Sequence, residues 1–78
     1  MTRGSVIKIV NSYGSTWGRI QPDGGAPEVF FNTPSFDQAI DFASIEVGQA
    51  VEFDERADPV NGRRADHIVF VAALPVGS

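Results

Sequence analysis

Apolar and polar residues alternate with a period of two in several short stretches, the spacing of a strand that turns one face to a core and the other to water. In residues 28–32, Val29 and Phe31 point one way while Phe30 and Asn32 point the other. In residues 17–21, Gly18 and Ile20 oppose Trp17, Arg19 and Gln21, and in residues 50–54, Val51 and Phe53 oppose Glu52 and Asp54. Ile20, Val29, Phe31, Val51 and Phe53 are therefore expected in the core. The opposite faces of the second and third stretches then present Trp17, Arg19, Phe30 and Asn32 to solvent, and exposed aromatics that lie together call for an explanation.

Turn signals divide the chain at short, regular intervals: residues 11–16, 22–27, the Val47-Gly48 pair, and 57–62 with its Asp58-Pro59 and Asn61-Gly62 pairs. The segments between them, 5–10, 17–21, 28–32, 50–54 and 65–72, are rich in Val, Ile and Phe. This pattern predicts an all-β protein, a small five-stranded antiparallel barrel. Ser35 with Gln38 forms a weak capping box, and Phe36 and Ile40 stand four apart, so a short helical turn is expected between the third and fourth strands. Phe36 and Ile40 read as packing beneath that segment. Phe42 either closes a surface groove or fills a satellite cluster. Residues 1–74 read as one domain and 75–78 as a frayed tail. The stretch 68–74 is apolar without alternation and needs cover on both faces. Its first half closing the barrel and its end packing across the barrel mouth is the preferred reading, which gives a monomer; self-association through this strand is the alternative.

Composition narrows the function classes. A chain of 78 residues buries roughly 60% of its unfolded surface and has little length for an enzyme lid. It contains no cysteine, which removes disulfides, thiolate zinc sites and thiol nucleophiles and suits a cytoplasmic protein. No stretch approaches the roughly 20 apolar residues of a membrane helix, so no membrane partner is expected. His67 is the only histidine. Without a second histidine or a cysteine it lacks the companions of a metal site or a catalytic triad, and it reads as a solvated strand residue. The acids Glu52, Asp54, Glu55 and Asp58 read as a solvated edge, and no glycine-rich loop followed by Lys-Ser or Lys-Thr is present to hold a nucleotide. Neither catalytic residues, nor a cofactor, nor a metal is predicted, and an enzyme is the least expected class.

Charge complicates the picture. The formal net charge is −4, which opposes a polyanionic partner, since Lys and Arg supply most non-specific affinity for phosphates. The distribution is uneven, however. Arg3, Lys8 and Arg19 precede the first acid, Asp23, whereas residues 37–58 hold seven acids against the single base Arg56. From charge alone, six scattered bases read as ordinary solvated surface. A basic face on an acidic protein is the alternative.

Several segments, taken in order, resemble the bacterial cold-shock domain. Lys8-Ile9-Val10-Asn11 stands where that family usually has Lys-Trp-Phe-Asn, and Trp17-Gly18-Arg19-Ile20 where its first ribonucleoprotein motif reads Phe-Gly-Phe-Ile. Pro22-Asp23-Gly24-Gly25 matches the following turn. Glu28-Val29-Phe30-Phe31-Asn32 is similar to the second motif, Asp-Val-Phe-Val-His, and Gly48-Gln49-Ala50-Val51-Glu52-Phe53 to a Gly-Gln-x-Val-x-Phe strand. Asn61-Gly62-Arg63-Arg64-Ala65 resembles the final turn, with Arg63 where a proline is frequent. One extra residue near Tyr13 and another before Asn61 keep the register.

The resemblance covers nearly the whole chain and implies an oligonucleotide-binding (OB) barrel. It also implies binding of single-stranded RNA or DNA, as an RNA chaperone or a regulator of transcription or translation. It places Lys8, Trp17, Arg19, Phe30, Asn32, Phe42 and Arg63 at the nucleic-acid face. Ile9, Arg19 and Thr33 stand where the family carries aromatics. If each forfeits ~1 kcal/mol of stacking, binding is about 3 kcal/mol, or roughly a hundredfold, weaker than on a full platform. Arg19 recovers part of this, because a guanidinium stacks on a base and pairs with phosphate, and Asn32 retains a base-edge hydrogen bond. The rival class is a diverged barrel used for protein interaction. For Trp17 and Phe30 the competing role is a cross-strand pair that only stabilises the sheet, by up to ~1 kcal/mol.

Overall fold

The computed structural model describes residues 1–71 and shows five strands: β1 (Thr2–Ser12), β2 (Ser15–Pro22), β3 (Val29–Asn32), β4 (Ala50–Asp58) and β5 (Gly62–Phe70). They close into a barrel in the order β1-β2-β3-β5-β4, with β4 returning to β1. This is the all-β five-stranded barrel that the turn spacing and alternation predict, and it is consistent with the small OB-like barrel that the resemblance implies. One seam differs from a purely antiparallel closure, since β3 meets β5 in parallel, with Phe30 opposite Arg64. The expected tail at residues 75–78, and the end of the apolar stretch beyond Val71, lie outside the described residues.

β1, β2 and β4 run longer than alternation alone indicates. The β1–β2 hairpin continues to the Ser12–Ser15 pair, leaving only Tyr13 and Gly14 in the loop. Gly14 has φ +81°, a left-handed conformation that glycine adopts without a Cβ penalty. The β4–β5 hairpin extends to Asp58 opposite Gly62. Its turn is held by the Asp58 carboxylate, which accepts hydrogen bonds from the backbone N–H of Val60 (2.8 Å) and Asn61 (3.1 Å). The Val60 bond is the main cause, with the Asn61 bond next, of an Asp58 pKa below the usual carboxylate value.

The five residues expected inside, Ile20, Val29, Phe31, Val51 and Phe53, are all fully buried, joined by Val6, Ala65 and Ile68. Removing each large aliphatic or aromatic side chain from water stabilises the barrel by about 1.5–3 kcal/mol. The interior is filled: the gap among Val6, Ile20, Phe31 and Val51 has no room for a water molecule. Gly18 is required by this packing. A Cβ at that position would come within 2.5 Å of Phe31 Cζ and collide with the Lys8 carbonyl oxygen.

The segment between β3 and β4 differs from expectation. The helical turn does not begin at Ser35; 3-10 turns form at Thr33–Ser35 and at Phe42–Ser44 instead. Pro34 lies within the first of these, and Ser35 closes it, its Oγ accepting the Asn32 N–H at 3.0 Å. Phe36 is half-buried as expected, edge-on to Phe31 and stacked against Phe70. Phe70 is thereby covered, while Val69 is exposed, so in the part of the apolar stretch that lies in β5, Ile68 and Phe70 pack inward and Val69 does not.

Candidate functional site

Two β-bulges set which side chains share the outer face. In β1 the pairing slips by one residue between Val6 and Lys8, leaving Ile7 as the extra residue. Before the slip Val6 points inward opposite Ile20; after it, Lys8 lies opposite Arg19 and Val10 opposite Trp17. Because β2 pairs with β3, Arg19 opposite Phe30 and Trp17 opposite Asn32, these side chains form two adjacent rows on one surface. The first row runs Lys8, Arg19, Phe30, then Arg64 and Arg56 across the parallel seam. The second runs Val10, Trp17, Asn32.

The structure thus brings together Lys8, Trp17, Arg19, Phe30 and Asn32, as expected. The Trp17 and Phe30 rings stack with centroids 6.0 Å apart and planes inclined by 25°, and both are half-buried. Lys8 Nζ lies 5.1 Å and the Arg19 guanidinium carbon 6.0 Å from the Trp17 ring centroid, within cation–π range. A flat apolar patch is therefore bordered by two cations.

Phe42 is not part of this surface. It is 5% exposed and stacks on Phe31 at 5.7 Å, so of its two expected roles it takes the packing one. The Asp41 carboxylate accepts the Ala43 N–H and fixes the 3-10 turn that drives Phe42 inward. Arg63 is also displaced. Successive strand residues face opposite sides, so Arg63 stands on the other face of the β4–β5 hairpin from Arg64, 3.9 Å from Glu55. Ile9 lies opposite Gly18, on the side of the strand that packs against the core. Thr33, at another position that the resemblance makes aromatic, exchanges a hydrogen bond with Thr16 at 3.0 Å.

The residue that sequence reasoning missed is Arg64. Its guanidinium lies 5.8 Å from the Phe30 ring centroid and donates to Asn32 Oδ1 at 2.6 Å and to Ser35 Oγ at 3.0 Å. It also meets Asp66 at 3.2 Å and Asp58 at 3.7 Å, with a side chain only 12% exposed. Arg64 is therefore a pin that positions Phe30 and Asn32, with its charge already met by carboxylates. Asn32 Oδ1 is occupied by this contact, which weakens its expected role at a base edge. Counting outward from the Asp58–Gly62 closure would have placed Arg64, not Arg63, on the platform side.

Charge on the surface is partitioned. Arg3 pairs with Glu52 at 3.2 Å, and Arg56 with Asp66. With Arg63 and Arg64 also paired, Lys8 and Arg19 are the two bases that meet no carboxylate within 4 Å among the described residues. His67 lies away from this patch. It occupies the second bulge, between the Glu52–Val69 and Asp54–Asp66 pairs, with φ +53°. Its Nδ1 is 2.7 Å from Asp37 Oδ1, and that hydrogen bond, reinforced by the Asp37 charge, raises its pKa above the ordinary histidine value.

Among the described residues no cluster of carboxylates, histidine or cysteine suited to a metal ion occurs, and no helix is long and apolar enough to cross a membrane. Comparison with protein-family models finds no match, and comparison with curated proteins finds none either.

Proposed function

We propose that this protein binds single-stranded RNA or DNA through the outer face of β1, β2 and β3. The observation that carries this reading is the placement of the two uncompensated bases. On a protein of net charge −4, the other four Lys and Arg side chains are each matched by an acid; among the described residues Lys8 and Arg19 alone meet no carboxylate, and both stand against the Trp17 ring. A pair that served only to stabilise the sheet would have no need of unmatched cations on either side. Stacked bases and a phosphate backbone require this combination of π surface and positive charge.

In this mechanism Trp17 and Phe30 each take a base, with stacking worth about 1–3 kcal/mol per base, and Lys8 and Arg19 neutralise the adjoining phosphates. Arg64 and Asn32 hold Phe30 in place rather than reading sequence. Binding is weak, low in base specificity and sensitive to salt. The ordered resemblance to the cold-shock domain supports the same face, and with it a cytoplasmic role as an RNA chaperone or a regulator of transcription or translation. Trp17 is the only tryptophan, so its fluorescence reports on the site directly. Titration with oligo-dT or oligo-U at low salt is expected to quench it saturably, with recovery on adding salt. Unchanged emission at high micromolar oligonucleotide contradicts the proposal.

A further inference from the structure

Tyr13 forms the tip of the β1–β2 hairpin with Gly14, and its side chain is fully exposed, at 108% of the reference area. It contributes nothing to the core, and among the described residues its ring stacks on no other aromatic. The turn does not require a tyrosine, since Gly14 takes the left-handed conformation and Tyr13 keeps a negative φ open to most residues. A large ring held wholly in water at the end of the strands that carry Lys8, Trp17 and Arg19 is free for a ligand.

Charge indicates which way a bound strand leaves the Trp17–Phe30 pair. Beyond Phe30 the same row continues to Arg64 and Arg56, whose charges are met by Asp58 and Asp66, so no free cation draws a phosphate that way. Lys8 and Arg19 stand level with Phe30, and from them to the hairpin tip β1 and β2 carry no acid, so nothing on these strands repels a phosphate backbone that leaves over Trp17. We propose that the strand exits over the β1–β2 hairpin and that Tyr13 is a third stacking residue, taking a base beyond the one on Trp17. This rests on the function proposed above. Tyr13 stands four residues before Trp17, ~13 Å at the rise of a strand, which about four stacked bases at 3.4 Å each would span. A dinucleotide bound at Trp17 and Phe30 does not reach it; a hexanucleotide does.

The test compares oligo-dT of two and six nucleotides, followed by Trp17 fluorescence. Tyr13→Ala is expected to weaken hexanucleotide binding about tenfold and leave dinucleotide binding unchanged, with Tyr13→Phe restoring the lost affinity. Because Tyr13 packs against nothing, the alanine variant should melt with the wild type. Tyr13 is also the only tyrosine, so its ring resonances in the wild-type protein give a second readout. They are expected to shift with the hexanucleotide and not with the dinucleotide. Hexanucleotide affinity within about twofold of wild type in Tyr13→Ala, with silent Tyr13 resonances while Trp17 still responds, overturns the role of Tyr13 and leaves the proposed function standing. No response of Trp17 to either oligonucleotide overturns both.

Discussion

The outer surfaces of β1–β2 and of β4–β5 both carry bases, and they use them in opposite ways. On β4–β5, Arg56, Arg63 and Arg64 lie within ion-pair distance of Asp66, Glu55 and Asp58. These pairs tie the long hairpin across its strands, and whatever each adds to stability, the local potential is cancelled. On β1–β2, Lys8 and Arg19 have an aromatic ring as neighbour and, among the described residues, no acid within ion-pair distance, so their field extends into solvent. The number of bases on a surface therefore says little about polyanion binding; the number left without an acid decides it. An acidic protein can in this way keep a small basic face, and β3 with Phe30 marks where the free half ends and the matched half begins.

Reversing the free half breaks the contrast most severely. Lys8→Glu with Arg19→Glu should lower oligonucleotide affinity by about a hundredfold or more, since two attractive contacts become repulsive. Both side chains lie outside the core, so thermal melting should still show a folded barrel. Trp17→Ala comes next, with a loss of about tenfold in affinity read by calorimetry and a stability loss below ~1 kcal/mol read by chemical denaturation. Releasing the matched half gives a smaller and opposite effect. Asp66→Asn should raise affinity about threefold by freeing Arg56, while Arg64 keeps Asp58. Its clearest signature is the salt dependence. Two free cations give a slope of log affinity against log salt of about −1.4 in the wild type, and a third cation makes it about −2.1 in the variant. A wild-type slope already near −3 would show that the arginines of β4–β5 bind phosphate despite their acids.

The smallest expected effect comes from the His67–Asp37 pair, which lies away from the Trp17 face. The folded-state pKa of His67 is raised above its unfolded value, so its contribution to stability is fully present below about pH 6.5 and is lost as pH rises through the folded value. The melting temperature should therefore fall slightly between about pH 6 and pH 8, and the change should be smaller in Asp37→Asn, which removes the largest cause of the shift and leaves the weaker fields of Asp54 and Asp66. Oligonucleotide affinity at fixed pH should be the same in that variant as in the wild type.

Which parts of this were legible in the sequence follows from how far alternation can be counted. Within single strands it is exact, and Ile20, Val29, Phe31, Val51 and Phe53 are all buried while Trp17, Arg19, Phe30 and Asn32 share the outer face. It fails where a strand carries an extra residue. The bulge at Ile7 turns Ile9 inward and sets Val10 beside Trp17, and nothing local in Ile7 announces this. The same difficulty hides His67 in its left-handed bulge. Arg63 and Arg64 are adjacent, so choosing the one on the platform requires the exact closure of the hairpin, which only the Asp58 side chain and Gly62 settle. For Phe42 the deciding feature was tertiary: its ring finds Phe31 and Phe36, which no spacing within its own segment indicates.

The central claim is that the uncompensated half of the barrel surface is the binding face. Backbone and side-chain chemical-shift mapping with a short single-stranded oligonucleotide at low salt tests it most directly. Perturbations should concentrate on Lys8, Trp17, Arg19 and Phe30 and leave Arg56, Arg63 and Glu55 unmoved. Shifts centred on β4–β5, or none at all on β1–β3, would contradict it.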